Sequence, residues 1–484
     1  MANDDKEKRI DAEPESGARN PGASRPKRVL VYYTGGTIGM ADKGRGLEPD
    51  ESAAKALFDR AQAWLLSPGR DGGELEGEAP SSGLYYDFAR LFDPTGPILG
   101  EATEKLRQGA ALRAEDKEKF KPRIGAALSF DYRSSPRPID SSKADAPEFA
   151  EWVRTIRDNF GQYDGFLILH GTDTLAQTAA VMGFAFSGLG KPVVLTGSML
   201  PPEAPGSDAL RNLASSMALF ETGYDDVGVV FARSLLSPFN LEKISAFSRL
   251  AFINPKGYPL GLWRDGRWEI WARPAGSGDD PQNLDGDSPS PMLAMPPDDV
   301  EESRQNNALF ELKKAVNITG AKKLMRAALS GLIPDRPVSY DPELPPKERL
   351  RRLRMDPNLS ILTIRPAPAG TMPALERALE QEKLDGALIL GYGNGNAPIS
   401  DAMQRRLREL ADQGCALFAV SMVLQGSANA SYQVNRALSQ AGILNLSAAS
   451  PETALAGMLV GMSIGLGPRS IAAWIESKAA RPLE

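Results

Sequence analysis

The groups in this sequence best placed for chemistry are threonine, aspartate and lysine side chains that follow short apolar runs. Thr37 follows Gly35-Gly36 at the end of the run Val29–Tyr33, and Thr172-Asp173 follow His170-Gly171 at the end of Phe166–Leu169. A threonine hydroxyl is a poor nucleophile until a base takes its proton. A carboxylate such as Asp173 is a weak base near neutrality, because its ordinary pKa lies near ~4. A lysine whose pKa is lowered by burial would serve. Lys243, just past the run Val227–Ala232, is the candidate by position. Each group also has a bland reading: a tight glycine turn, a helix-capping aspartate, an ordinary surface lysine. His170 is the only histidine, which leaves little room for Ser-His-Asp chemistry; it reads as a buried, satisfied side chain. Gly35-Gly36 permits a sharp turn and close ligand approach, yet fits neither the dinucleotide fingerprint nor the phosphate loop.

The elements that must position these groups alternate along the chain. Strands are expected at Arg28–Tyr33, Phe166–Leu169, Val193–Thr196 and Val227–Ala232. Between them, helices are expected from Asp145 to about Tyr163, Leu175–Leu189 and Asp208–Phe220. Asp145 with Glu148 three residues on has capping-box spacing, and Pro147 suits a first turn. Strands separated by helices imply βαβ units and a parallel sheet, with ligands at the carboxyl ends of the strands. A second alternation follows: strands Leu359–Ile364, Ala387–Leu390 and Ala416–Val420, helices Met372–Leu384 and Ile399–Asp412, then a helical region from Ser450 to about Lys478. The expected fold is α/β with two domains. The larger, N-terminal one has a mostly parallel sheet flanked by helices, and the smaller C-terminal one is also α/β.

The boundaries read as a disordered tail at 1–27, an N-terminal domain at 28–264, a linker or insert at 265–358, and a C-terminal domain at 359–484. A further insert, 67–138, is rich in glycine, proline and charge. The linker region offers helix-like segments at Ala308–Val316 and Ala321–Leu329. Loops this long are lids, interaction elements or disorder.

Length and composition bound the rest. A chain of 484 residues has room for two or three domains and a full core. A net charge of −6 argues against nucleic acid as the partner. The basic run Lys347–Arg354 reads as a solvated helix face. The single cysteine, Cys415, excludes an intramolecular disulfide and a cysteine-rich metal site, and reads as core. No run of eighteen apolar residues occurs and the first 28 residues lack an apolar signal, so no membrane partner and a cytoplasmic location are expected.

Several motifs in order resemble the bacterial-type asparaginase/glutaminase family, most closely its cytoplasmic type I branch. Thr34–Met40 reads T-G-G-T-I-G-M and Leu169–Thr174 reads L-H-G-T-D-T. Pro138–Ser142 is similar to the D-S-S segment, Gly190–Ser198 to the G-K-P-V-[IV]-x-T-G-S strand, and Gly393–Pro398 to the G-x-G-N-A-P loop. Leu235 to Lys243 fits the segment that carries the family's lysine. The resemblance covers about two-thirds of the chain and implies hydrolysis of a side-chain amide, asparagine foremost, with no metal or organic cofactor. It implies that Thr37 is the nucleophile and that Thr172, Asp173 and Lys243 form the second catalytic group. Gly36, Asp140, Ser141 and Ser198 would line the substrate site, with Ser141 holding the α-carboxylate and Asp173 also the α-amino group. Asn396 would be lent to a neighbouring subunit, which implies a homodimer or homotetramer.

The sequence departs from the family in two places. A tyrosine on the loop after the first motif helps activate the family's nucleophile, and the gapless position here is Leu47. Another tyrosine (Tyr85, Tyr86 or Tyr132) fills the role, the loop is shifted, or the activity is altered. The arginine that often precedes the G-x-G-N-A-P loop is absent around Gly391-Tyr392, so regulation by asparagine at a second site is not implied. Glutamine or a larger amide as substrate, and a catalytically weak homologue with a binding role, remain alternatives. A transfer-RNA amidotransferase subunit is not expected, because only a short polar tail precedes the first motif.

Overall fold

The strand that leads to Thr37 is apolar on both faces, as a central strand of a parallel sheet must be. In the computed structural model this strand, β1 (Lys27–Gly35), lies between β5 (Gly165–Leu169) and β4 (Leu128–Ile139), parallel to both. The structure describes residues 25–67, 119–271, 345–365, 384–424 and 438–479, except 45, 124, 125, 258 and 398, together with 377 and 379. The sheet continues from β5 through β6 (Val193–Thr196) to β7 (Val227–Phe231), all parallel. It ends in antiparallel β8 (Ser234–Leu236), β11 (Gly261–Arg264) and β12 (Arg267–Ile270). The chain leaves β1 for the β4 edge and leaves β5 for β6 on the other side. The topological switch point, where such sheets bind ligands, therefore falls between β1 and β5.

Each face of the sheet is covered by helices. Val29, Val31, Tyr33, Leu167 and Leu169 pack in one core with α1 (Glu51–Leu66) and α4 (Ala209–Leu219). The alternate residues Leu30, Tyr32, Phe166 and Ile168 pack in the other core with α2 (Ala146–Asn159) and α3 (Leu175–Phe186). The period-2 alternation of a strand sorts one sequence into two cores. Asp145 and Glu148 form the expected capping box on α2.

Two stretches read as interruptions contain sheet strands. Leu128–Ile139, which begins inside 67–138, is the edge strand β4, paired with β1 over Leu128–Ser134 and again at Ile139 after a register shift. Asp131, Arg133, Pro136 and Pro138 obscure it in the sequence, but an edge strand tolerates charge and proline. Arg267–Ile270, inside 265–358, pairs with β11 through a hairpin whose Asp265 and Gly266 both have positive φ. Asp-Gly is a strong two-residue hairpin signal. The basic run forms α5 (Pro346–Arg352), which is not wholly solvated. Arg349 donates to the carbonyls of Ser187 and Gly188, and Leu350 and Leu353 are buried. The tail's last residues are also engaged: Arg25 pairs with Asp164, and Lys27 opens β1. Residues 1–24 and the expected helices at 308–316 and 321–329 lie outside the described residues; of the expected helix Met372–Leu384 only Arg377, Leu379 and Leu384 are described, the first two of them helical.

The smaller C-terminal sheet is fully parallel, in the order β13 (Ile361–Ile364), β14 (Gly386–Gly391), β15 (Ala416–Ser421), β16 (Leu444–Asn445). Helix α6 (Asp401–Asp412) leads into β15, where Cys415 is buried and burial pushes its thiol up to about 11. The final helical region is two helices, α7 (Pro451–Ser463) and α8 (Pro468–Ala479). They are separated by a turn in which Gly465 has φ 81. Gly457 on α7 lets Ile475 and Phe184 close in, since an added Cβ would lie 2.3 Å from Ile475 and 3.0 Å from Phe184. The two α/β domains thus share one continuous core across α3, α7 and α8.

Candidate functional site

Three loops converge at the switch point because glycines let their backbones touch. Gly35 and Gly36 have φ 120 and 85, and Thr37 opens a one-turn 3-10 helix, Thr37–Gly39. A Cβ on Gly36 would lie 2.1 Å from Gly171 Cα, and one on Gly171 would lie 2.4 Å from Ser141 Oγ. The loop after β6 also joins, since a Cβ on Gly197 would lie 2.6 Å from the His170 carbonyl and 3.5 Å from Thr172 Cγ2. Thr37, Ser141, Thr172 and the Ser198 loop therefore border one place.

Within it, Lys243 donates to Thr172 Oγ1 at 2.8 Å and to Asp173 Oδ1 at 2.7 Å. An ammonium has donors only, so Thr172 accepts from it and keeps its own O–H free for another partner. Asp173 does not cap α3; the N-cap is Thr174, and the Asp173 carboxylate takes the lysine instead. Lys243 reaches the site from β9 (Glu242–Lys243), which pairs with β10 (Phe252–Ile253). Ser141 Oγ accepts from the Asp173 N–H at 3.2 Å, and Thr174 Oγ1 donates to the Ser141 carbonyl. Asp140 caps the short Ser141–Lys143 turn by accepting from Ser142 N. Ser198 is buried and donates to the Leu200 carbonyl at 2.7 Å.

Asn396 stands apart from these residues. It sits in the 393–396 turn after β14, bridged to Tyr392 through both backbone hydrogen bonds. Its Oδ1 is buried with no hydrogen-bond partner among the described residues.

His170 is fully buried and satisfied. Nδ1 donates to the Gly171 carbonyl at 2.8 Å, which leaves Nε2 to accept from Thr178 Oγ1 at 2.7 Å. Burial pulls its pKa down to about 4.

Some supporting residues had no motif to announce them. Tyr33 Oη and the Asp50 N–H both donate to the Gly39 carbonyl, at 3.0 and 2.8 Å, and so pin the far end of the Thr37 turn. Asp208 accepts from Met199 N and Leu200 N, while Asn212 donates to the Gly197 carbonyl, which fixes the Ser198 loop. The i,i+4 spacing of Asp208 and Asn212 at a helix start was the available signal. Tyr132 makes no hydrogen bond to the Thr37 turn among the described residues. It lies next to Val31 in register and packs on Phe58 with ring centroids 5.4 Å apart. Tyr85 and Tyr86 lie outside the described residues. Among the described residues no group of three or more His, Cys, Asp or Glu could hold a metal, and no helix is long and apolar enough to cross a membrane.

Two family models match this chain: "Asparaginase, N-terminal" over residues 28–275 and "Glutaminase/Asparaginase C-terminal domain" over residues 363–475. The chain belongs to the asparaginase family, whose members are amidohydrolases. It is 25% identical over 437 residues to the 60 kDa lysophospholipase of Mus musculus, covering 89% of this chain and 57% of that protein. It is 32% identical over 161 residues to the L-asparaginase of Thermococcus kodakarensis, covering 33% of this chain and 48% of that protein. The chain thus spans about half the length of these curated relatives. The fold is shared with L-asparaginase I from Vibrio cholerae, with a TM-score of 0.56 at 20% identity over 94% of this chain and 100% of that one.

Proposed function

We propose that this protein hydrolyses the side-chain amide of L-asparagine to L-aspartate and ammonia, with Thr37 as nucleophile. The observation that carries the reading is Lys243 bridging Thr172 Oγ1 and Asp173 Oδ1 beside the Thr37 turn. A hydroxyl, an ammonium and a carboxylate in one hydrogen-bonded line can move a proton without a histidine. Thr37 Oγ attacks the amide carbon, its proton passes to the departing nitrogen, and ammonia leaves an acyl-enzyme ester. Water activated through Thr172, Lys243 and Asp173 then hydrolyses the ester. Backbone N–H groups of the glycine turns would stabilise the oxyanion, each worth roughly 3–4 kcal/mol in other acyl-transfer enzymes. Ser141 and Asp173 take the substrate's α-carboxylate and α-amino groups, and Gly36, Asp140 and Ser198 complete the pocket wall. These side chains suffice, so the reading requires no metal or cofactor. Asn396 serves the site of a second copy in a homodimer or homotetramer, and the location is cytoplasmic.

A second reading, a larger amide substrate, is favoured by one observation: the flap after Thr37 presents an exposed Leu47 where a hydroxyl is expected. Ammonia release from asparagine, glutamine and a short asparaginyl peptide tests both. The first reading requires free asparagine to be the best substrate; release from none of the three overturns both.

A further inference from the structure

Lys243 is one residue from an unusual neighbour. In the two-residue strand β9, successive side chains point to opposite faces. Lys243 turns towards Thr172 and Asp173, and Glu242 turns towards the first helical turn of α7, where its carboxyl lies against the side chains of Glu452 and Ser450. Glu452 Oε2 is buried with no hydrogen-bond partner among the described residues. Two part-buried carboxyl groups in contact cannot both be ionised cheaply, and Glu242 is the one held protonated. The surrounding groups do not replace that proton. Lys256, following β10, spends its ammonium on the carbonyls of Ala448 and Ala449. Glu476 of α8 accepts from Ser447 and from the Ala448 N–H. Lys243 is committed to Asp173 on the opposite face.

The same joint is clamped three residues upstream of Lys243. Asn240 has φ 53 and is buried. Its side chain donates to the Ala448 and Ala479 carbonyls and accepts from Ser450 N, while its backbone N–H donates to Thr453 Oγ1. Segment 240–243 is therefore fastened to the start of α7 at two points, Asn240 and Glu242, immediately before it delivers Lys243.

We infer that Glu242 is a positioning residue: a proton shared with Glu452 fastens the Lys243 strand to helix α7, so the C-terminal domain sets where the ammonium stands. The inference rests on the proposed role of Lys243 and adds a group that does not touch substrate. Burial, and then the Glu452 carboxylate, push Glu242 up to about 9. An acid whose folded pKa exceeds its unfolded value stabilises the fold fully below the unfolded pKa. That stability is lost as pH rises through the folded pKa. Loosening of the joint therefore belongs to the alkaline side.

The test compares Glu242→Ala, Glu242→Gln and Glu452→Gln in the full-length protein, by ammonia release and by unfolding midpoint between pH 6.5 and 9. Glutamine can donate to the remaining carboxylate without titrating. Glu242→Ala is expected to lower kcat about 10- to 100-fold, the scale of a misplaced group, with KM changed less than about twofold. Glu242→Gln is expected to recover most of that kcat and to raise the pH at which activity fades. Both glutamine variants should flatten the fall of the unfolding midpoint across this pH range. Equal kcat in the alanine and glutamine variants overturns the inference, as does a fall in midpoint unchanged by either glutamine variant. If the wild-type protein releases no ammonia from any amide, the proposed function fails. The unfolding measurement still decides whether the shared proton exists.

Discussion

Gly36 and Gly171 meet backbone to backbone, so closely that a Cβ on Gly36 would lie 2.1 Å from Gly171 Cα. This contact joins the loop of β1 to the loop of β5 at the switch point and brings the turn that holds Thr37 against the loop that holds Thr172. Gly36→Ala would force a methyl into a neighbouring main chain at φ 85. The expected cost is roughly 1–3 kcal/mol of stability or more, with larger loss of turnover. Thermal unfolding alongside kcat checks it; an unaltered midpoint with full activity would mean the loops need not touch.

Thr37→Ala removes a half-buried hydroxyl from a turn pinned by Tyr33 and Asp50 through Gly39. The fold should stay intact and ammonia release should fall by about 10⁴-fold or more, as for other lost nucleophiles. Lys243→Met should also lose most activity and alter the pH profile. Near-wild-type turnover in Thr37→Ala would show that another group attacks.

His170 gives an acid-side prediction. Its folded pKa is pulled by burial from 6.5 to about 4. A base whose folded pKa is depressed contributes stability that is present above the unfolded pKa and lost as pH falls towards the folded one. Stability should therefore drop on the order of a few kcal/mol as pH falls from about 6.5 to about 4. Glu242 acts in the opposite sense above its unfolded pKa of 4.5, so the effect is read most directly in a Glu242→Gln background. The single imidazole can be followed by NMR: it should stay neutral, protonated on Nδ1, at pH 5.5. Titration near 6.5 would contradict the burial argument.

Much of this arrangement was legible because central parallel strands declare themselves. Val29–Tyr33, Phe166–Leu169 and Val193–Thr196 are apolar on both faces, and the residues after each lie at the sheet's carboxyl edge. That alone puts Thr37, Thr172 and Asp173 at the edge where ligands bind, while the roles expected of them came from the motif resemblance. β4 was not legible, since an edge strand needs only one buried face and carries Pro136, Pro138 and charge. The partners of Lys243 were not legible either. They depend on a 70-residue separation in sequence for Asp173 and on the approach of the C-terminal helix for Glu242. Neither local pattern nor composition encodes such distances.

The flap after Thr37 is a hairpin, β2 (Met40–Asp42) against β3 (Leu47–Pro49), with Leu47 opposite Asp42 and 51% exposed. Its ends are secured by the Lys43–Asp50 ion pair and by Asp50 N donating to the Gly39 carbonyl. An exposed leucine on an anchored flap has no packing duty that a tyrosine would violate. If the missing hydroxyl limits catalysis, Leu47→Tyr should raise asparagine turnover by about tenfold or more, up to the 10²–10⁴-fold that a general acid–base group supplies. Tyr132→Phe should change turnover less than about twofold, because Tyr132 packs on Phe58 in the α1 core and a phenylalanine keeps that contact. If instead Tyr85 or Tyr86 supplies the hydroxyl, Tyr85→Phe or Tyr86→Phe should cost about 10²-fold or more and Leu47→Tyr should gain nothing. Steady-state ammonia release across these four variants separates the cases. Fast asparagine hydrolysis that ignores every one of them would mean that Thr37 is activated without any of these tyrosines, and that the proton relay through Thr172, Lys243 and Asp173 carries the whole task.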